Sequence, residues 1–323
     1  MPINGLRIAI VGFGPRGLGA LEALVRRALQ QGASVAVDIF DPGDWPAAGP
    51  NFSPDEDPLC QLNLPLRSID LPPPVLGTFG DFAQSLKGRF GPEIFPPRAA
   101  LGTYLNERFA ALLSELPAQI VVQTHQLHIT NAVWRGAAWT LRANPQDFGP
   151  YDHVLLTLGQ PETRPDEQVQ RWRKHADAHD LTLTDAYPGA ALVQSAEAWA
   201  GRNVAIRGLG LSALDVIRLL TLGLGGRVVD GRYHPSGREP SRIIPFSLDG
   251  HAPAPKPATK EFDARFDLTP VEDTEFAQTL EAALDGPAKD ALSRICKVMA
   301  GPALRILRDI GTGANDQAIG KWL

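Results

Sequence analysis

Two short glycine-rich runs stand out for what they could bind. Gly12-Phe13-Gly14-Pro15-Arg16-Gly17 has the spacing G-x-G-x-x-G. In such a run the first glycine permits a tight turn out of a strand. The second lets the backbone approach a pyrophosphate, and the third lets a helix pack closely on the strand. The helix that follows presents free N–H groups and the positive end of its dipole to the anion. Asp41 lies 24 residues past Gly17, close to where a carboxylate reaches a ribose hydroxyl; Asp38 is a rival within the same stretch. Gly208-Leu209-Gly210-Leu211-Ser212-Ala213 repeats the pattern with alanine in third place. Two such runs in one chain point to two dinucleotides, one a flavin and one a nicotinamide. For the second, Asp230 could hold a ribose hydroxyl, whereas Arg227, Arg232 or Arg238 could meet a 2′-phosphate, which leaves NADH and NADPH both open with a lean to NADPH.

The surrounding pattern supplies the elements that would position these residues. Residues 6–12, LRIAIVG, form an apolar run suited to a strand buried on both faces. A helical pattern follows, ending at Gly32, and 34–41, SVAVDIFD, reads as the next strand. Residues 42–98 are rich in proline and predict irregular loops with a short helix near 78–88. A helix is predicted over 101–116, antiparallel strands over 120–130 and 132–144, and a buried strand over 151–159. A weak helix is predicted near 166–178. NVAIR, at 203–207, opens a second strand–turn–helix, and 226–230 is a short strand candidate. The segment 234–260 is dense in proline, serine and glycine and reads as loop; helices dominate from about 271.

Composition narrows the classes. The chain has 323 residues, 44% hydrophobic and 21% charged, enough for two ordinary soluble domains. A net charge of −5 offers no basic field for nucleic acid. No run approaches the roughly 20 apolar residues that span a bilayer, and the N-terminus lacks the marks of a signal peptide, so the expectation is a cytoplasmic protein. The two cysteines, Cys60 and Cys296, form no Cys-x-x-Cys, which argues against a flavin enzyme that reduces disulfides. His175 and His179 sit four apart, but Ala176 stands where a zinc-protease helix needs glutamate. No G-x-S-x-G elbow or Walker lysine is present.

Taken in order, IAIVGFGPRGLGALEAL, LNLP with Asn63, PPRAALGTYL, VLLTLGQP, RGLGLSALDVIRLLT and YHPSGREP resemble the FAD/NAD(P)-binding proteins distantly similar to flavin-dependent N-hydroxylating monooxygenases. The resemblance covers about residues 6–245. It implies FAD on the first unit through Gly12, Gly14, Pro15, Gly17 and Asp41, with Phe13 and Arg16 in the same turn. It implies Gly159 near the flavin, and Asn63 and Tyr104 on the substrate side. In relatives of this type the chain usually returns to the flavin domain with a Gly-Asp motif. The nearest segment here, GTGANDQ at 311–317, matches that poorly, so the flavin pocket is expected to close differently, to be completed by a partner subunit or second copy, or to stay incomplete.

These readings commit to an α/β protein: a Rossmann-type FAD-binding domain at 1–160, an inserted second NAD(P)-binding-like domain at 161–260, and a helical C-terminal segment at 261–323. The expected function is FAD-dependent, NAD(P)H-driven oxidoreduction of a small molecule, extending to monooxygenation, with no residue assigned as catalytic. Two alternatives stay open: a non-catalytic FAD/NAD(P)-binding regulatory module, and a flavin-free NAD(P)-dependent dehydrogenase.

Overall fold

The computed structural model describes residues 5–160 and 163–309. Contacts divide the chain into two units, 1–253 and 254–323.

The first unit begins with β1 (Leu6–Val11), α1 (Pro15–Gln31) and β2 (Val35–Phe40). Pro15 occupies the first helical turn, where its missing N–H costs nothing. Gly32 ends the helix in the left-handed conformation, at φ 60°. A long loop segment holds the short α2 (Phe82–Ser85), and α3 (Arg98–Ser114) and β3 (Ile120–His125) follow. Three strands, β4 (Asn131–Trp134), β5 (Trp139–Ala143) and β6 (Gln146–Tyr151), make an antiparallel meander before β7 (His153–Leu156).

The main sheet has the order β3-β2-β1-β7 and is wholly parallel. Residues 120–125 are therefore not half of an antiparallel pair, as their alternation predicts; they pair in parallel with β2. Alternating polarity reports a half-covered strand but not its partner. The antiparallel layer is built instead from 131–151. One face of the main sheet carries α1 and α3 over a core that includes Ile10, Leu21, Val25, Val37, Ile39 and Phe109. The other face meets the meander through Ala9, Val11, Phe40, Leu141 and Tyr151. Asp38 points to this second face, where it accepts from Tyr151 Oη at 2.8 Å and lies 3.0 Å from His125 Nε2. It is spent on packing the two layers, which removes it as a rival to Asp41.

A buried ion pair fixes α1 against α3. Arg108 donates from Nε and Nη2 to the two carboxylate oxygens of Glu22, both at 2.7 Å, and from Nη1 to the carbonyl of Pro72 at 2.7 Å. The helix whose N-terminus follows the first glycine turn is thereby held in place by a fork-shaped contact.

Residues 163–253 contain α4 (Glu167–Ala178), α5 (Gly189–Ala196), β8 (Asn203–Arg207), α6 (Leu211–Thr221), β9 (Arg227–Val229), β10 (Arg232–His234) and β11 (Arg242–Phe246). β8 pairs in parallel with β11, while β9 and β10 form an antiparallel hairpin of their own. A strand thus occupies 242–246, inside the stretch that reads as loop. A second core of Leu192, Ala196, Ile206, Ala213, Val216, Leu219, Leu220 and Leu224 packs around α6 and includes Cys60. Among the described residues, no strand after β7 joins the main sheet.

The second unit contains α7 (Lys260–Asp263), α8 (Pro270–Leu284) and α9 (Ala288–Asp309). Thr269 and Glu272 form a capping box at the start of α8. Arg305 of α9 reaches the same Glu272 at 2.9 and 3.0 Å, tying the two helices. The segment 311–317 lies outside the described residues. No described helix is long and apolar enough to cross a membrane.

Candidate functional site

The first glycine turn leaves the C-terminal end of β1 and opens α1. Its three glycines have different reasons to be glycine. Gly12 has φ 81°, and a methyl group there would sit 2.6 Å from the carbonyl oxygen of Thr157. Gly17 is buried, and a methyl group would lie 2.8 Å from Phe13 Cδ2. Both are required by the fold itself. Gly14 is not: its φ of −87° suits any residue, and a methyl group would meet nothing nearer than Gly49 Cα at 3.6 Å. The fold leaves that position room for a side chain, and its open backbone fits the close approach of a ligand. This is the cradle the pyrophosphate of a dinucleotide needs at the N-terminus of α1.

The turn is tied from both sides. Thr157, just past β7, donates from Oγ1 to the carbonyl of Gly12. Asp41, just past β2, accepts from the amide of Phe13 at 2.5 Å with one oxygen and from Gly43 at 2.8 Å with the other. Its carboxylate therefore stands at the mouth of the turn while still partly exposed. The Phe13 ring is buried and packs 4.7 Å from the ring of Phe109, so only its backbone faces the turn; Pro15 and Arg16 are exposed. The loop 46–49 closes on the turn, with Ala47 donating to the carbonyl of Phe13 at 2.7 Å. Sequence reasoning misses Thr157, Ala47 and Gly49 as members of this site. The only signals were the Gly49-Pro50 pair and the threonine of TLG.

The second turn repeats the first. Gly210 caps α6 with φ −86° and ψ −164°, against −87° and −162° for Gly14. Gly208 takes a positive φ of 108°, and a methyl group on Gly210 would meet no atom within 4 Å. Ser212 is exposed in the first turn of α6. Behind it Asp215, buried on the same helix, accepts from Arg98 Nη2 at 2.5 Å, Tyr187 Oη at 2.8 Å and Arg218 Nη1 at 3.1 Å. Arg98 opens α3, so this cluster joins the second glycine turn's helix to the elements of the main sheet.

The other expected residues are more scattered. Gly159, with φ 68°, is exposed three residues past β7, and Asn63 is exposed in the long loop. Tyr104 is 3% exposed in the core, between Phe79 and Phe82 at 5.3 Å each; it also lines a groove of about 330 Å³ with Ser85, Arg89, Thr103 and Glu107. Asp230 sits in the tight turn of the β9–β10 hairpin at φ 50°, in a different sheet from the parallel pair β8–β11. His175 and His179 lie side by side on one exposed helix end, their tilted rings 4.1 Å apart. Among the described residues no group of three potential metal ligands occurs.

Cys60 is fully buried, and burial, with Glu56 next, pushes its thiol up from 9.0 to about 12. It stays protonated at any working pH, whereas Cys296 is exposed. A disulfide-exchange reagent at pH 8 is therefore expected to label the folded protein at Cys296 alone, with Cys60 reacting only in denaturant. Rapid labelling of both would mean that the core under α6 opens readily.

Residues 9–161 match the family model described as FAD-NAD(P)-binding. Among individual proteins, it is 30% identical to nitrosuccinic acid synthase npaA of Aspergillus oryzae over 269 residues, 75% of this chain and 41% of that one. It is 27% identical to the nitrosuccinate-forming L-aspartate N-monooxygenases of Streptomyces cremeus and Streptomyces davaonensis, over 77% and 75% of this chain and 44% of each of theirs. The chain thus spans less than half the length of the curated relatives it matches.

Proposed function

We propose that the chain is an FAD-dependent oxidoreductase driven by NAD(P)H, working as a monooxygenase on the nitrogen of a small amino-acid-like molecule. The observation that carries this reading is Gly14, a glycine that the fold does not require at the mouth of a turn built for a pyrophosphate. On this reading FAD lies against Gly12, Phe13, Gly14, Pro15, Arg16 and Gly17. The first-turn amides of α1 neutralise its phosphates, and Asp41 accepts from its ribose. The nicotinamide dinucleotide takes the second turn, at Gly208, Gly210 and Ser212. Gly159 and Asn63 face the reacting side. When bound, FAD supplies two-electron redox chemistry and reactivity toward oxygen. The chain then has to bind, orient and exclude water rather than supply an acid–base pair. The two relatives named as L-aspartate N-monooxygenases support a nitrogen-bearing small molecule as substrate. The same reading takes 1–160 as a flavin part and 161–260 as a nicotinamide part. It has the protein acting in the cytoplasm, with a second copy or a partner subunit completing the flavin pocket.

An absorbance spectrum of the purified protein, taken after FAD addition and desalting and again after anaerobic NADPH, tests the proposal. Retained flavin peaks that bleach with NADPH and return with oxygen are the expected result. Oxygen uptake that rises with an amino acid would then identify the substrate class. Retained peaks that neither NADPH nor NADH bleaches would favour a binding module without turnover. Failure to retain FAD would sink the flavin reading.

A further inference from the structure

The α8–α9 hairpin has two unlike broad faces. With roughly 3.6 residues per turn, the less exposed positions Glu272, Phe276, Thr279 and Ala283 share the side of α8 that meets α9. Ala291, Ile295, Val298 and Pro302 share the facing side of α9. To one flank of that seam the surface is polar: Glu275 and Gln278 of α8 and Arg294 and Lys297 of α9 line a shallow groove. The opposite flank is apolar. Leu280 and Leu284 of α8 and Leu292 and Met299 of α9 fall there by the same periodicity, and they are 42–76% exposed. Cys296, also exposed, lies between Leu292 and Met299 on this face. Of the described residues in the two helices only Ala283 is buried. A helix pair with so small a core is stabilised by stacking its apolar face on another layer.

We propose that a second copy of this chain covers this face, so that two α8–α9 hairpins stack as a four-helix bundle with twofold symmetry. Charge selects both the occupant and its orientation. Residues 270–285 carry five carboxylates and no lysine or arginine, whereas 288–309 carry five cations and two carboxylates. The hairpin therefore holds both halves of a complementary pair, which an isologous interface requires. A twofold axis between the layers and parallel to the helices sets α8 of each copy over α9 of the other. An axis running across the helices sets α8 over α8. The first brings opposite charges together and the second brings like charges together, so the first is favoured. In that arrangement both hairpin loops lie at the same end. Glu281, exposed at the rim of the apolar face, then comes opposite Lys289 of the partner subunit. The pairing is independent of what the glycine turns bind.

The test is the mass of the full chain in solution, by light scattering after size exclusion and by sedimentation equilibrium. Wild type is expected at twice the 34.8 kDa of one chain. Leu284→Glu and Met299→Glu put a carboxylate into the apolar seam. Each should raise the dissociation constant at least about 100-fold with the far-ultraviolet circular dichroism unchanged. Glu281→Lys and Lys289→Glu should each weaken pairing about tenfold, and the double exchange should return it to within about threefold of wild type, because opposite charges meet again. Gln278→Glu, on the polar face, should leave the mass unaltered. Thiol labelling of Cys296 should slow as the wild-type concentration rises, but not in Met299→Glu. A wild type that stays monomeric up to about 100 μM overturns the proposal and gives the face to a different protein. A dimer that survives both glutamate variants overturns it too, as does a double charge exchange no better paired than either single variant.

Discussion

Gly14→Val is expected to fold like wild type and to bind FAD at least about 100-fold more weakly, roughly 2.7 kcal/mol of lost affinity. The prediction separates ligand from fold because the three glycines of the turn differ. At Gly14 the backbone is ordinary and a Cβ would make only van der Waals contact with Gly49, so valine costs the apoprotein little. Its side chain then stands where the pyrophosphate backbone contact must form. At Gly12 the same change meets a positive φ and the Thr157 carbonyl, and Gly12→Val should instead give a misfolded or aggregated chain. The pair is read by the flavin spectrum after desalting and by far-ultraviolet circular dichroism. A soluble, folded Gly14→Val that keeps its flavin would show that the first turn is not the binding site.

Arg108→Met should cost about 3–5 kcal/mol of unfolding free energy, because it strands the carboxylate of Glu22 in the core between α1 and α3. Both partners lie out of water, and Arg108 gives up a third bond to the Pro72 carbonyl as well. The double change Glu22→Met with Arg108→Met should recover much of the loss, since two apolar side chains replace two charges without leaving one unpaired. Urea unfolding of wild type, single and double variants measures this. A single variant as stable as wild type would mean that Glu22 takes up its proton at little cost, or that water reaches it.

Much of this fold can be read from the chain because its local signals agree. β1, the Pro15-led helix, the Gly32 stop and β2 each follow from apolar periodicity and capping chemistry, and together they fix where the first turn lies. The sequence was less informative where the partner of a strand decides the structure. Residues 120–125 carry an alternation that suits either strand direction, and only the sheet shows that they lie parallel beside β2. β11 was hidden for another reason. Pro245 and the serine- and glycine-rich flanks imitate a loop, and a proline is tolerated there because β11 is an edge strand with a single partner. That hidden strand drew attention to Asp230, which follows the next strand in sequence but not the next strand in space. Asp38 and Asp41 show the same limit on a smaller scale. Three residues apart, one packs two layers and the other faces the turn, and only the register separates them.

The tethers on the first turn have a thermodynamic consequence. Thr157 and Asp41 already hold the backbone around Gly12 and Phe13 from opposite sides. A ligand arriving there finds the loop in its final shape and loses little conformational freedom in ordering it. Amide hydrogen exchange at Phe13 should already be slow before any cofactor is added. Association should then approach the rate of a rigid encounter, with the heat released reporting the phosphate contacts themselves rather than a coupled folding step.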